Sequence, residues 1–131
     1  MKNKKTVPIF FAADKHYLPF LAVALQSLKE TKTGEYDYQV HVLYTGSLGK
    51  HMNAILAMQE DGLSVSFTDV SAKLTEIENL MHCRDYYTSA IYYRLFIPDL
   101  FPQYNKVIYL DCDTVALDEI GKLYDIDIKD N

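Results

Sequence analysis

The sequence predicts an α/β fold built around a mainly parallel sheet, and three observations lead there. Apolar runs of strand character alternate with stretches of helical apolar period, which implies crossover connections between parallel strands. The run at 7–12 is apolar throughout, as a strand covered on both faces must be. Two chemistry-bearing segments, 12–14 and 111–113, fall directly after predicted strands. Ligands of parallel sheets bind at such carboxyl ends.

The elements follow in order. After the first strand, Pro19 stands where a first helical turn tolerates proline, and Phe20, Leu21, Val23, Ala24, Leu25 and Leu28 give a broad apolar helix surface to about residue 31. Gly34 stops it. Residues 38–44 alternate and are rich in β-formers, a second strand. Ser47 is expected to cap a second helix carrying Met52, Ile55, Leu56 and Met58, ended by Asp61-Gly62. Residues 63–67 alternate strictly, a third strand. Asp69 or Ser71 caps a helix to about Leu80, with Leu74, Ile77, Leu80 and Met81 on one face. An apolar helix is expected at 88–97, broken by Pro98 and Pro102, then a fourth strand at 106–110. The tail offers a short strand at Val115-Ala116 and a helical turn at 120–124.

Composition bounds the function. The 131 residues make one domain, large enough to bury a core. A net charge of −5 argues against a nucleic-acid partner, which wants a basic stripe. Lys2, Lys4 and Lys5 form the one cationic cluster and read as a solvated tail. No stretch reaches the ~20 apolar residues of a membrane span. The lysine-rich start before an apolar run faintly mimics a signal peptide, but a first strand is the better reading. Cys83 and Cys112 have no metal-type spacing, which points to a reducing compartment and hence the cytoplasm, although one disulfide between them stays open.

The triplet Asp111-Cys112-Asp113 closes the apolar run Val107-Ile108-Tyr109-Leu110. Two carboxylates held against a sheet edge invite a cation, and Asp111 and Asp113 suit Mn²⁺ or Mg²⁺ through hard oxygen ligands. The same pattern also opens haloacid dehalogenase phosphatases, with Asp111 as nucleophile and Asp113 as acid/base. An exposed acidic turn is the third alternative. Small Ala12 and Ala13 would let a ligand approach the backbone. Asp14 would accept hydrogen bonds from a base or ribose and Tyr17 would stack on a base; otherwise Asp14 caps a helix and Tyr17 is core. Arg94 lies in an apolar helix, where it pairs with Asp14, Asp111 or Asp113, reaches a ligand, or snorkels to the surface. His16, His41, His51 and His82 share no ligand spacing, and His41 reads as structural. Neither a Walker sequence nor G-x-G-x-x-G occurs.

Together, Phe11-Ala12-Ala13-Asp14-x-x-Tyr17, Thr88-Ser89-x-x-x-Tyr93-Arg94-Leu95 and Lys106-Val107-Ile108-Tyr109-Leu110-Asp111-Cys112-Asp113-Thr114 resemble glycosyltransferase family 8 over nearly the whole chain. That family includes glycogenin and bacterial lipopolysaccharide galactosyl- and glucosyltransferases, and the Ala-Ala-Asp start is more similar to the bacterial branch. The resemblance implies a Rossmann-like three-layer sandwich, the GT-A fold of nucleotide-diphospho-sugar transferases. It implies Mn²⁺-dependent, retaining transfer of glucose or galactose from a UDP-sugar to a saccharide or glycolipid acceptor. Ala12, Ala13, Asp14 and Tyr17 would hold uracil and ribose, and Arg94 the donor sugar side. Asp111 and Asp113 would bind the metal, and the 111–113 backbone, Cys112 included, would touch ribose. His16 stands where the bacterial branch often carries Asn. Such enzymes are roughly twice this length, and their third metal ligand, acceptor pocket and nucleophilic or stabilising group fall in the second half. Residues 1–131 are therefore expected to be the donor-binding, N-terminal half, cytoplasmic or peripheral at the inner membrane surface. A non-catalytic UDP-sugar-binding module is the alternative.

Overall fold

The computed structural model describes residues 4–81 and 93–128, the side chains of 77–81 excepted. Thr88, Ser89 and the first half of the predicted 88–97 helix lie outside the described residues, as do Lys2, His82, Cys83 and the side chains of Ile77, Leu80 and Met81.

Four strands, β1 (Lys5–Ala12), β2 (Tyr36–Tyr44), β3 (Leu63–Asp69) and β4 (Ile108–Tyr109), form one sheet in the order β3-β2-β1-β4. Every pairing is parallel. The register aligns Val65, Val40, Ile9 and Ile108 in one row across the sheet, all buried. One residue along, Ser66, His41, Phe10 and Tyr109 make a row facing the opposite way, because strand side chains alternate faces.

Helices cover both faces. Against Val7, Ile9 and Phe11 lie α1 (Leu18–Thr31), through Leu18, Leu21, Ala24, Leu25 and Leu28, and α2 (His51–Leu56), through Ile55. Against Phe10 and Leu43 lie Val70 and Leu74 near the start of α3 (Ser71–Met81), then Tyr93, Phe96 and Ile97. The last three belong to a 3₁₀ turn (Arg94–Phe96) with its preceding residue, and to α4 (Ile97–Leu100). The segment beyond β4 ends in α5 (Gly121–Tyr124), with Ala116, Ile120 and Tyr124 packed on the α1 side. This is the three-layer sandwich expected.

Four local expectations are corrected. Val115-Ala116 joins no strand; the Ala116 N–H instead donates to Ser27 Oγ of α1 at 2.8 Å. Ser47 does not cap α2: its hydroxyl accepts from the Gly49 N–H, a local turn, and Lys50 is the cap residue. Pro98 does not break a helix but sits in the first turn of α4, where a missing N–H costs nothing. Lys4 and Lys5 are no free tail, since β1 begins at Lys5 and they pair with Asp61 and Asp125. Asp69 does start α3, accepting the Ser71 N–H at 2.8 Å.

His41 is structural, as read from the sequence. Its ring stacks on Phe10 at 4.7 Å, and its nitrogens meet the Tyr104 hydroxyl at 2.9 Å and Ser66 Oγ at 3.1 Å.

Candidate functional site

Strand order places the site. The chain runs from β1 outward to β2 and β3, then returns across the sheet to β4 on the other side of β1. The crossovers after β1 and into β4 therefore diverge, leaving a crevice at the carboxyl ends of these two strands. Both segments singled out by sequence lie there. A cavity of about 300 Å³ is lined by Ala12, Ala13, Asp14, Tyr17, Arg94, Asp111, Cys112 and Asp113. Tyr93 and Tyr109 complete the wall. All eight site residues predicted from the sequence thus meet in one place.

Each arrives for a local reason. Ala13 extends the β1–β2 ladder by donating its N–H to the Leu43 carbonyl at 3.0 Å. The chain then turns, and Asp14 Oδ1 accepts the N–H groups of His16 at 2.8 Å and Tyr17 at 3.1 Å. Asp14 thus shapes the loop into α1, although Tyr17 is the residue at the cap position. Tyr17 is 51% exposed, so it is not core; its ring leans on Phe20. Its exposed face is free to stack on a planar group.

On the other side of the crevice, Asp111 and Asp113 are exposed while Cys112 between them is buried. Solvation therefore supports both carboxylates, and folding does not require a cation beside them. The case for a metal rests on donor chemistry instead. Burial, then the charges of Asp111, Asp113 and Asp14, push the Cys112 thiol up to about 12. Its Sγ packs in the core cluster and donates to the Ala12 carbonyl at 3.1 Å, which leaves the flanking carboxylates as the exposed donors. Hard carboxylate oxygens remain, a set that fits Mn²⁺ or Mg²⁺. Among the described residues no cluster of three or more His, Cys, Asp or Glu is placed to hold a metal, so the two aspartates fit as part of a shell that substrate or water oxygens would complete.

Arg94 is exposed, which removes the expense expected of a cation in an apolar helix. Its guanidinium lies 5.1 Å over the Tyr109 ring, a cation–π contact that holds it at the wall. Among the described residues, three carboxylates against one guanidinium make the lining acidic. Tyr93 is buried, with its hydroxyl 2.8 Å from Thr45 Oγ1 beyond β2. Sequence reasoning did not assign Tyr93 and Tyr109 to the site. The period-2 pattern through Ile108 carried the signal for Tyr109, because it turns that ring off the α1 face and towards Arg94.

Comparison with known proteins now bears on this crevice. General stress protein A of Bacillus subtilis (strain 168) is 28% identical over 133 residues, covering 98% of this chain and 45% of the relative. Among solved structures, the galactosyltransferase LgtC, in complex with donor and acceptor sugar analogs, superposes with a TM-score of 0.76 and 28% identity. It covers 95% of this chain and 44% of that one. The bifunctional glycosyltransferase WbbM gives a TM-score of 0.80 at 25% identity, covering 98% of this chain and 22% of that one. The chain thus spans less than half the length of these relatives. The solved neighbours share the GT-A fold, the family profile "Glycosyl transferase family 8" matches residues 8–131, and the chain belongs to that family.

Proposed function

We propose that this chain binds a UDP-sugar in the crevice between β1 and β4, as the donor-binding part of a retaining hexosyltransferase. The sugar would be glucose or galactose and the acceptor a saccharide or a lipopolysaccharide-type glycolipid. The convergence of 12–14 and 111–113 on one cavity, in a chain of this family, carries the reading. Family membership over nearly the whole chain sets the phosphatase alternative aside.

In this reading Ala12 and Ala13 leave the backbone open to close approach, Asp14 accepts from uracil or ribose, and Tyr17 stacks on the base. The 111–113 backbone borders the ribose. Arg94 supplies a fixed cation on the donor sugar side of the crevice, preorganised by Tyr109. Asp111 and Asp113 would hold Mn²⁺, or Mg²⁺, which when bound neutralises charge on the diphosphate. We assign no nucleophile within this chain; residues 1–131 act as one nucleotide-sugar-binding domain, the N-terminal half of a longer catalytic unit. A reducing, cytoplasmic setting fits the free thiol of Cys112. No helix among the described residues is long and apolar enough to cross a membrane.

The alternative reading is a module that binds donor without transferring sugar. Thermal shift with UDP, UDP-glucose, UDP-galactose and GDP, with and without Mn²⁺, tests the shared premise. Ligand at a hundred times its Kd stabilises by about 2.7 kcal/mol, so uridine compounds with Mn²⁺ should raise Tm by several degrees and GDP should not. No shift with UDP and Mn²⁺ refutes donor binding. In either reading the chain alone should transfer weakly or not at all, and robust transfer would overturn the assignment of catalytic groups elsewhere.

A further inference from the structure

Cys112 sits between the two cavity aspartates, yet at 5% exposure it belongs to the core cluster beneath β1. In a parallel pair the hydrogen-bond rungs recur every two residues along each strand. Here Ile108 lies opposite Ile9 and Tyr109 opposite Phe10, and the Leu110 N–H donates to the Phe10 carbonyl at 2.9 Å. The next rung in that register would run from the Cys112 N–H to the Ala12 carbonyl. The chain turns at 112–113 instead, and the Ala12 carbonyl accepts from the Cys112 thiol at 3.1 Å. The side chain supplies the rung that the backbone gives up.

This rung matters because the two exits are unequally held. β1 is paired with β2 over all eight of its residues, and Ala13 adds one more bond to Leu43. β4 has a ladder of only two residues. Its exit, which carries Asp111 and Asp113, is the weakly tied one.

We propose that Cys112 is a positioning residue: its thiol ties the β4 exit to the β1 exit and so holds Asp111 and Asp113 in register with the Ala13-Asp14 turn. The inference rests on the donor-binding reading for its functional consequence, while the tie itself is a property of the fold. Cys112→Ser keeps a donor but puts a hydroxyl into apolar surroundings; Cys112→Val keeps apolar bulk but removes the donor.

Two measurements on the full chain test it. By calorimetry of UDP with Mn²⁺, Cys112→Ser should bind within about twofold of the parent despite a lower Tm. Cys112→Val should bind about tenfold more weakly with Tm nearly unchanged, the factor that one hydrogen bond corresponds to. A mere packing role predicts instead that affinity follows Tm across the two variants, and that result overturns the proposal. Amide exchange at Ala13, Asp14 and Asp113 gives a readout that does not need ligand: it should be faster in Cys112→Val than in Cys112→Ser. Equal protection in both variants overturns the tie. Asp113→Ala in the same calorimetry separates the premises, since parental UDP affinity there sinks the donor reading and leaves the exchange comparison to decide the tie.

Discussion

Removing the Glu119 carboxylate should destabilise the protein by about 2–4 kcal/mol, and the figure follows from its partners. Glu119 is 4% exposed. It accepts from the Thr33 N–H at 2.9 Å, from the Thr33 hydroxyl, and from the Tyr38 hydroxyl at 2.6 Å. The Tyr38 hydroxyl in turn accepts the Gly121 N–H at 2.9 Å. In Glu119→Ala, water reaches exposed Thr33 and replaces most of what is lost there. Tyr38, 1% exposed, keeps a buried O–H without an acceptor, which costs about 1–3 kcal/mol alone, with about another 1 for the Thr33 bonds. For a chain of this size Tm should fall by about 10 °C, followed by circular dichroism. Glu119→Gln, which keeps an acceptor, should lose less than half as much. Burial alone would raise the Glu119 carboxyl, but the bonds from Thr33 and Tyr38 more than offset that and hold it below its ordinary 4.5. Its contribution is therefore present above that value and fades as pH falls through the depressed one. A Glu119→Ala melt within about 0.5 kcal/mol of the parent, below the cost of one orphaned buried hydroxyl, would refute the reasoning.

Four further outcomes are expected. Burial holds the His41 imidazole below its ordinary 6.5, so just under that pH the unfolded chain binds the extra proton and stability falls as pH drops; melts at several pH values should show this slope in the parent and not in His41→Gln, and a persisting slope assigns it to another group. Gly121→Ala brings a Cβ to 2.5 Å from the Tyr36 ring, whose stack on Tyr38 and bond to Asp125 resist movement; a loss of about 1–3 kcal/mol in urea is expected, and an unchanged midpoint refutes the clash. Asp113→Ala should abolish Mn²⁺-dependent UDP binding with Tm preserved, because the side chain is exposed; unchanged UDP affinity would make the metal role wrong. Arg94→Ala should weaken UDP-sugar binding more than UDP binding by calorimetry, and equal losses would make Arg94 a structural partner of Tyr109.

The layers were legible because burial writes itself into periodicity. Residues 7–12 read as a strand covered on both faces, and Val7, Ile9, Phe10 and Phe11 are fully buried with helices on either side. Errors cluster where a single side chain or amide decides the local geometry. Ser47 has the chemistry of a cap but spends its oxygen on Gly49. Ala116 looks extended but gives its amide to a helix hydroxyl rather than to a strand. Glu119 was invisible for the same reason. A lone glutamate in a polar tail reads as surface until the fold brings Tyr38 and Thr33, 81 and 86 residues away, onto its carboxylate.

The convergence of the candidate residues on one cavity was legible for a reason partly different from the one that sequence supplied. Paired carboxylates after a buried strand suggested an energetic demand for a cation, yet both are solvated and the fold stands without one. What the spacing encodes is alternation: one residue between two aspartates faces the core, and that residue fixes where its neighbours emerge. A carboxylate pair that folding does not need is free to be spent on a ligand, and its cost in the empty state is small because water holds it. The same logic covers Arg94, exposed and, among the described residues, steadied by a ring rather than paired with an acid. Had it been locked in an ion pair with Asp111 or Asp113, using it on a donor would first require breaking that pair. Held over Tyr109 instead, the guanidinium keeps its donors available to an anion in a cavity whose other charges, among the described residues, are negative, so electrostatics from these groups favours a cation and an anion arriving together over either alone.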